Sequence, residues 1–400
     1  MKNSAYGVLV WFIATLFVIY AFCLNTAASV FQESIQASLH ASNVDVSIAM
    51  GAFIVGFACM QIPAGYLLDR FNARYVVSAG VLLLAAGNFL TSISPNIVMF
   101  GISNLLQGMG GSFAFIAAAV LISQWFSMKS FPILFGLTQT LSCILAGVIH
   151  SVMAKQLQLT TWNTIYQFLS LCGMALFIIS IMVIKSPSDR RIVSQSSLGA
   201  TLAAVCKNKQ IMLCALAATT SFGILLSYAS FWYMSIEKFY AVKVTDAYVI
   251  SALIFAGIGI GTPVLGFISN WLQSRILLIH ITLVVGTMFL LAGIYLPHFN
   301  NDSLLLIKVV SFLIGFLLSG SMLFFTMVSE LASDSSRGVA LSVTNTGVFM
   351  LNAVMMFVPY LLITASSTTF FTYLWILPCC ILVSILVVYF IKDSYLNTSS

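Results

Sequence analysis

Long apolar runs separated by short polar turns set the pattern of this chain from end to end. Twelve runs are read, over residues 7–32, 45–68, 75–93, 97–122, 131–153, 163–184, 210–235, 247–271, 276–296, 304–329, 338–363 and 369–391. Each approaches the roughly 20 residues a helix needs to cross the hydrocarbon of a bilayer. In hydrocarbon only helices and closed barrels satisfy their own backbone groups, and unbroken runs this long are helices. The pattern therefore predicts an all-α, polytopic membrane protein with about twelve transmembrane helices. The longest polar interruption starts as KSPSDRRIVSQSS from Lys185. It divides the chain into an N-terminal bundle of six spans (1–184), a linker (185–209) and a C-terminal bundle of six spans (210–400).

Two echoes relate the halves. GYLLDRFNAR, Gly65 to Arg74, ends the second span, and GFISNWLQSR, Gly266 to Arg275, ends the eighth, 201 positions on. Leu137, Thr138, Gln139 and Thr140 in the fifth span return as Val343, Thr344, Asn345 and Thr346 in the eleventh, 206 positions on. Recurrence at nearly one offset predicts two pseudo-symmetric bundles.

Composition then narrows the class. Hydrophobic residues make up 60% of the 400 and charged residues 6%, with a mean hydropathy of +1.07, far from the balance of soluble domains. The net charge of +6 is not gathered into a patch that would grip nucleic acid. The basic residues are instead divided unequally between alternate loops. Lys2, Arg70, Arg74, Lys129, Lys185, Arg190, Arg191, Lys207, Lys209, Arg275, Arg337 and Lys392 fall on one side, and Lys155, Lys238, Lys243 and Lys308 on the other. The positive-inside rule puts the richer side, with both termini, in the cytoplasm. The first span has Lys2 before it and Ala27 and Ala28 late in it, but it is about twice as long as a signal-peptide core and is expected to stay in the protein. Eight cysteines show no C-x-x-C spacing and four histidines are scattered, so neither a metal site nor a cofactor is expected. Paired intramembrane carboxylates, an H-E-x-x-H helix and a Ser/His pair are all missing from the spans, which argues against an enzyme.

The turn after the second span resembles the loop motif of the major facilitator superfamily, G-x-x-x-D-R-x-G-R, with Gly65, Asp69, Arg70 and Arg74 in place. Asn72 takes the slot of the second glycine, where a left-handed residue is expected and Asn tolerates that conformation. The resemblance covers essentially the whole chain. It implies two six-helix bundles with a solute site near mid-membrane, and a lipid-embedded monomer in a bacterial inner membrane. GGSFAFIAAAVLISQWF and FGLTQT look more narrowly like bacterial nutrient and siderophore permeases. It further implies that the inner end of the second helix lies beside the start of the eleventh. Asp69 would then face the positive end of a helix beginning near Arg337 and Gly338, as a gate contact worth roughly 0.3 to 1 kcal/mol, or about 2 when partly buried. The counterpart Asn270, with Arg275 after it, carries no charge and is expected to hold less tightly.

Candidates for the solute path are polar side chains inside spans. Asn25, Ser29, Gln32 and Gln36 recur at helical spacing in the first span. They read either as interhelical hydrogen bonding or as a cavity wall, and the family's use of its first, fourth, seventh and tenth helices favours the wall. Asn104 and Gln107 lie on one face of the fourth span. Many relatives carry R-x-x-x-G-x-G there; Asn104 replaces that arginine, and an amide cannot hold an anion by charge. Gln139 and Asn345 sit in the repeated tetrapeptides. Ser227, Tyr228 and Trp232 close the seventh span with Tyr233, as a surface for stacking or as an interfacial anchor near Glu237. Gly257, Gly259 and Gly261, ahead of Pro263, read as a close-packing stripe.

All ten acids map to loops or span ends, so no mid-membrane carboxylate marks proton coupling. Glu33, Asp45 and Glu330 remain as candidate titrating groups, each read first as a solvated helix end. The expectation is a secondary transporter of a small neutral or zwitterionic solute, with nutrient uptake favoured and protons left open as a coupling partner. A siderophore or drug exporter is the alternative, disfavoured because the fifth span lacks the family's G-P-x-x-G signature; a receptor or scaffold without transport is the other.

Overall fold

The computed structural model describes residues 5–186, 196–232, 243–299, 304–363 and 374–395. It is helical, and no strand occurs among the described residues. The helices are α1 (Ala5–Val30), α2 (Gln32–Leu39), α3 (Asn43–Arg70), α4 (Ala73–Ser92), α5 (Ile97–Trp125), α6 (Phe131–Gln156), α7 (Trp162–Val183), α8 (Leu198–Lys207), α9 (Lys209–Ser227), α10 (Val244–Trp271), α11 (Ile276–Phe299), α12 (Leu304–Leu318), α13 (Leu323–Leu331), α14 (Arg337–Ile363) and α15 (Ile376–Val388). A single turn of 3₁₀ helix at Ser319–Met322 joins α12 to α13 into one membrane-length rod. Eleven stretches among the described residues are long and apolar enough to cross a bilayer. The predicted twelfth span is represented by the shorter α15, and the first part of the 369–391 run lies outside the described residues.

Short polar side chains fix the ends of these apolar rods. Ser42 and Asp45 form a reciprocal capping box at the start of α3, which satisfies two amides that would otherwise be orphaned. Asn72, Asn96, Thr161 and Asn208 cap α4, α5, α7 and α9 in the same chemistry. Lipid supplies no hydrogen bonds, so these caps decide where each rod can stop.

Three local expectations change. The first span does not run as one helix through Gln36: α1 stops at Val30, Phe31 leaves helical geometry at φ −103° and ψ 5°, and α2 restarts at Gln32. Phe31 is fully buried with its ring against Tyr166, centroids 5.4 Å apart, so packing of the aromatic overrides continuous helix. Asn72 is extended (φ −61°, ψ 124°) and serves as an N-cap. The left-handed residue falls in the second copy of the loop, at Gln273 (φ 54°). Finally, the 185–209 stretch contains the ten-residue helix α8.

The chain gathers into two compact units. One comprises Met1–Ser127, Leu141–Leu202 and Asp334–Ser342, and the other Met128–Thr140, Ala203–Ser333 and Val343–Ser400. Helices α6 and α14 are thus each shared, with their first turns belonging to the unit opposite to the rest. In the first unit α5 is the hub, packed on α3, α4 and α1, while α7 covers α4. Gly56 and Gly108 allow α3 and α5 backbones to touch; a Cβ on Gly56 would fall on the Leu105 carbonyl, and one on Gly108 on the Phe53 carbonyl. The second unit repeats this with α10 on α12, where Gly257 meets the Phe312 carbonyl and Gly315 the Ile254 carbonyl. Small residues at such crossings let helices associate by close van der Waals contact.

Candidate functional site

Asp69 is the best-defined polar contact of the first unit. Its carboxylate, buried to 6% exposure, accepts the Gly338 N–H at 2.7 Å and the Val339 N–H at 2.9 Å, one on each oxygen. These are unsatisfied amides at the start of α14, so the negative charge meets both the donors and the positive end of the helix. Gly65 makes the approach feasible: a Cβ there would strike the Ser342 hydroxyl and the Gly338 carbonyl. Arg337, the first residue of α14, pairs with Asp334 at 2.6 Å and reaches Ser123 at 3.4 Å. Arg70 and Arg74 turn to the linker. The Arg70 guanidinium donates to Ser196 at 2.6 Å and lies over the Tyr66 ring, and Arg74 donates to the Ile184 carbonyl at 3.1 Å.

The second unit builds its loop with the hydrogen-bond sense reversed. Asn270 donates its amide N–H to the Lys129 carbonyl at 2.6 Å, just ahead of α6, and accepts from Arg275 at 2.7 Å. Arg275 is fully buried. It pairs with Glu330 at 2.9 Å, both side chains at 0% exposure, donates to Ser269 at 2.6 Å, and stacks its guanidinium 5.0 Å from the Tyr395 ring centre. Burial overturns the reading of Glu330 as a solvated helix end. A buried pair of this kind is costly unless its other donors and acceptors are engaged, and here all but the Arg275 Nε are drawn into bonds. Ser394 donates to the other Glu330 oxygen, and Asp393 accepts the Arg275 and Ile276 amides at the start of α11. Residues 393–395 were not singled out from sequence; the only signal is one acid just past the last span of a chain poor in charge.

The predicted solute-path residues separate into two groups. Asn25 and Ser29 are exposed on α1, and Gln32 opens α2 half-buried. Ser29, Gln32, Glu33, Ser34 and Asn43 line one open cleft with Val30 and Leu157, about 470 Å³ in volume. The other group is packed inside the bundles. Asn104 donates back to the Phe100 carbonyl of its own helix at 2.8 Å. Gln107 donates to Thr91 at 2.6 Å, and Thr91 also meets Ser103 at 2.7 Å, a buried network joining α4 to α5. In the second unit Gln139 and Asn345 are buried, Ser227 is bonded to the Gly223 carbonyl and to Asn352, and Tyr228 is fully buried at the start of a π-helical turn, Tyr228–Trp232. The side chain of Trp232, and Tyr233 and Glu237 altogether, lie outside the described residues. Asp45 is engaged in the capping box of α3. Among the described residues no group of three or more His, Cys, Asp or Glu is placed to hold a metal.

A bundle of membrane-length helices in two units, each ending a glycine-rich helix in the same loop, defines a multi-pass membrane protein of repeated design. The family model described as Major Facilitator Superfamily matches residues 13–356, and the chain belongs to that superfamily. Among solved structures it is similar to a double-tryptophan variant of XylE, with TM-score 0.76, 14% identity and coverage of 100% of this chain and 99% of that one. It is also similar to the E. coli fucose:proton symporter FucP, with TM-score 0.72, 16% identity and coverage of 97% and 99%. Multidrug resistance protein MdtL of Escherichia coli is 24% identical over 155 residues, 38% of this chain. The chain spans about two fifths, 39%, of the length of the curated relatives it matches.

Proposed function

We propose that this transporter moves a small neutral or zwitterionic solute across a bacterial inner membrane by alternating access, with both termini cytoplasmic and uptake as its working direction. The observation that carries the solute class is the polar wall of the first-unit cleft, where Ser29, Gln32, Ser34 and Asn43 accompany one carboxylate, Glu33, and no cation. Away from the cleft, Asn104, bonded to its own helix, stands where many relatives carry an arginine, so no fixed positive charge is offered to an anion there. Hydroxyl and amide groups exchange hydrogen bonds with a hydroxylated solute at little net cost, whereas a fixed charge must be desolvated. Two fold neighbours add weight, since one is described as a proton:xylose symporter and the other as a fucose:proton symporter.

Asn25, Ser29 and Gln32 are the proposed solute contacts. Asp69, with Gly65 and the start of α14, is proposed as a latch that must open and close in each cycle, and Asn270 with Arg275 as its less strongly charged counterpart. Drug export is the second reading, and the MdtL match over part of the chain favours it. A melting-temperature screen of purified protein against neutral sugars, amino acids and lipophilic cations separates the two, because a ligand that prefers the folded state raises the midpoint. Stabilisation by sugars or amino acids supports uptake of such solutes, and stabilisation by lipophilic cations alone overturns it.

A further inference from the structure

Residues 131–140 open α6 and belong to the second unit, where they run beside the second half of α10. Matched contacts make one seam of the two segments. Asn270 donates to the Lys129 carbonyl, a Cβ on Gly266 would press on the Pro132 carbonyl, and a Cβ on Gly136 would fall on the Pro263 nitrogen. At the far end the Thr140 hydroxyl donates to the Gly259 carbonyl. Residue numbers rise along one helix as they fall along the other, so the seam is antiparallel. Thr140 is the last residue of α6 that belongs to this unit.

Pro263, inside α10, accounts for that last contact. Each N–H of an α-helix bonds the carbonyl four residues back, and proline has none to give. The carbonyl so deprived is that of Gly259, a buried residue. Leaving a buried acceptor without a bond is costly, and hydrocarbon supplies no replacement. Thr140 supplies it from the neighbouring helix. The same hydroxyl has a second acceptor within reach, the Gly136 carbonyl of its own helix at 3.0 Å. Back-bonding of this kind is the resting state of a helical threonine; Thr138 uses it toward Leu134 at 3.0 Å and Thr262 toward Ile258 at 2.7 Å. A hydroxyl has one proton to donate, so the two carbonyls compete for it.

We propose that Thr140 is a releasable clasp between α6 and α10, its hydroxyl turning from the Gly259 carbonyl to the Gly136 carbonyl as the two helices part in the transport cycle. The inference rests on the transport reading above and adds a positioning residue to it. With the seam closed, the hydroxyl fills the gap that Pro263 leaves in α10. With the seam open, it returns to its own helix and is never left without an acceptor. The hydroxyl itself therefore loses little in either arrangement, and the gain on closing is the satisfied Gly259 carbonyl. Removing the hydroxyl disfavours the closed seam and slows the half of the cycle that re-forms it.

The test is a double-mutant cycle on full-length protein in lipid nanodiscs, with Thr140→Val, Pro263→Ala and the two combined, and Thr140→Ser as the conservative variant. Pro263→Ala gives Gly259 an N–H from its own helix; Pro263→Gly does the same should the Ala variant not fold. Thr140→Val alone is expected to melt about 2–4 °C below wild type, and Thr140→Ser to melt with wild type. In the Pro263→Ala background, Thr140→Val is expected to change nothing. In vesicles, Thr140→Val is expected to exchange labelled L-fucose or D-xylose several-fold more slowly than wild type, with Thr140→Ser restoring the rate and Pro263→Ala abolishing the difference. A Thr140→Val penalty of equal size in both backgrounds overturns the proposal, because packing alone then explains it. An exchange rate that Thr140→Val leaves unchanged overturns it too. Failure of wild type to exchange any tested solute overturns the transport reading instead, and the melting temperatures still decide whether Thr140 fills the gap at Pro263.

Discussion

A carboxylate and an amide occupy the same place in the two copies of the loop, and that one difference reverses what each can do. Asp69 accepts from two N–H groups of α14, while Asn270 donates to the Lys129 carbonyl. Asp69→Asn would set an N–H against one of those donors and remove the charge. A loss of about 1–2 kcal/mol at this contact is expected. The measurable outcome is a several-fold fall in transport rate at equal expression, with folding retained by gel filtration; an unchanged rate would remove the latch role. Arg275 and Glu330 call for a different experiment, because both are fully buried. Glu330→Gln leaves a buried guanidinium without its counter-charge and is expected to cost about 3–5 kcal/mol, seen as a lower melting temperature. The double variant Arg275→Met, Glu330→Met is expected to melt above the Glu330→Gln variant. Gly65, Asp69 and Arg74 were legible because the loop carries its chemistry within ten residues. Tyr395, Ser394 and Asp393 were not, since the partners that tie them to the loop lie 64 or more residues away in sequence and no local pattern connects them. Asn104 and Gln107 show the limit of periodicity: a helical repeat says which residues share a face, and the neighbouring helix decides whether that face is wet or packed.

At the scale of elements, apolar length and short polar caps account for most of the architecture. Runs of membrane length were readable because the bilayer dictates their size. The interruption at Phe31 was not, because its cause is the contact of that ring with Tyr166 on α7, 135 positions along the chain. Close crossings are the element-level weak points. Gly108→Leu is expected to push α5 away from the Phe53 carbonyl on α3, at a cost of about 1–3 kcal/mol, checked by thermal unfolding in detergent. Gly147→Ala, where a Cβ meets nothing within 4 Å, is the control expected to leave the midpoint unchanged. Proline recurs too: Pro63 lies inside α3 and Pro263 inside α10, each a few residues before its loop. Both lack an N–H and weaken the helix at matching points.

For the whole molecule, the family match makes this chain a member of the Major Facilitator Superfamily, the loop sequence recurs in its two halves, and the solved structures of XylE and FucP share its fold. The excess of Lys and Arg in alternate loops predicts that, in a background without the native exposed cysteines, cysteines introduced at Asn72 and Gln273, exposed positions of the two loop copies, react with an impermeant thiol reagent only from the cytoplasmic face. Reaction of one from each face would break the paired design. The proposed cycle carries a neutral solute past the latch at Asp69, and counterflow in vesicles reads that movement. Vesicles containing wild-type protein and preloaded with unlabelled L-fucose or D-xylose are predicted to take up the labelled sugar transiently above equilibrium, with Asp69→Asn several-fold slower. No overshoot with any neutral sugar or amino acid, alongside protein-dependent movement of a lipophilic cation, would contradict it.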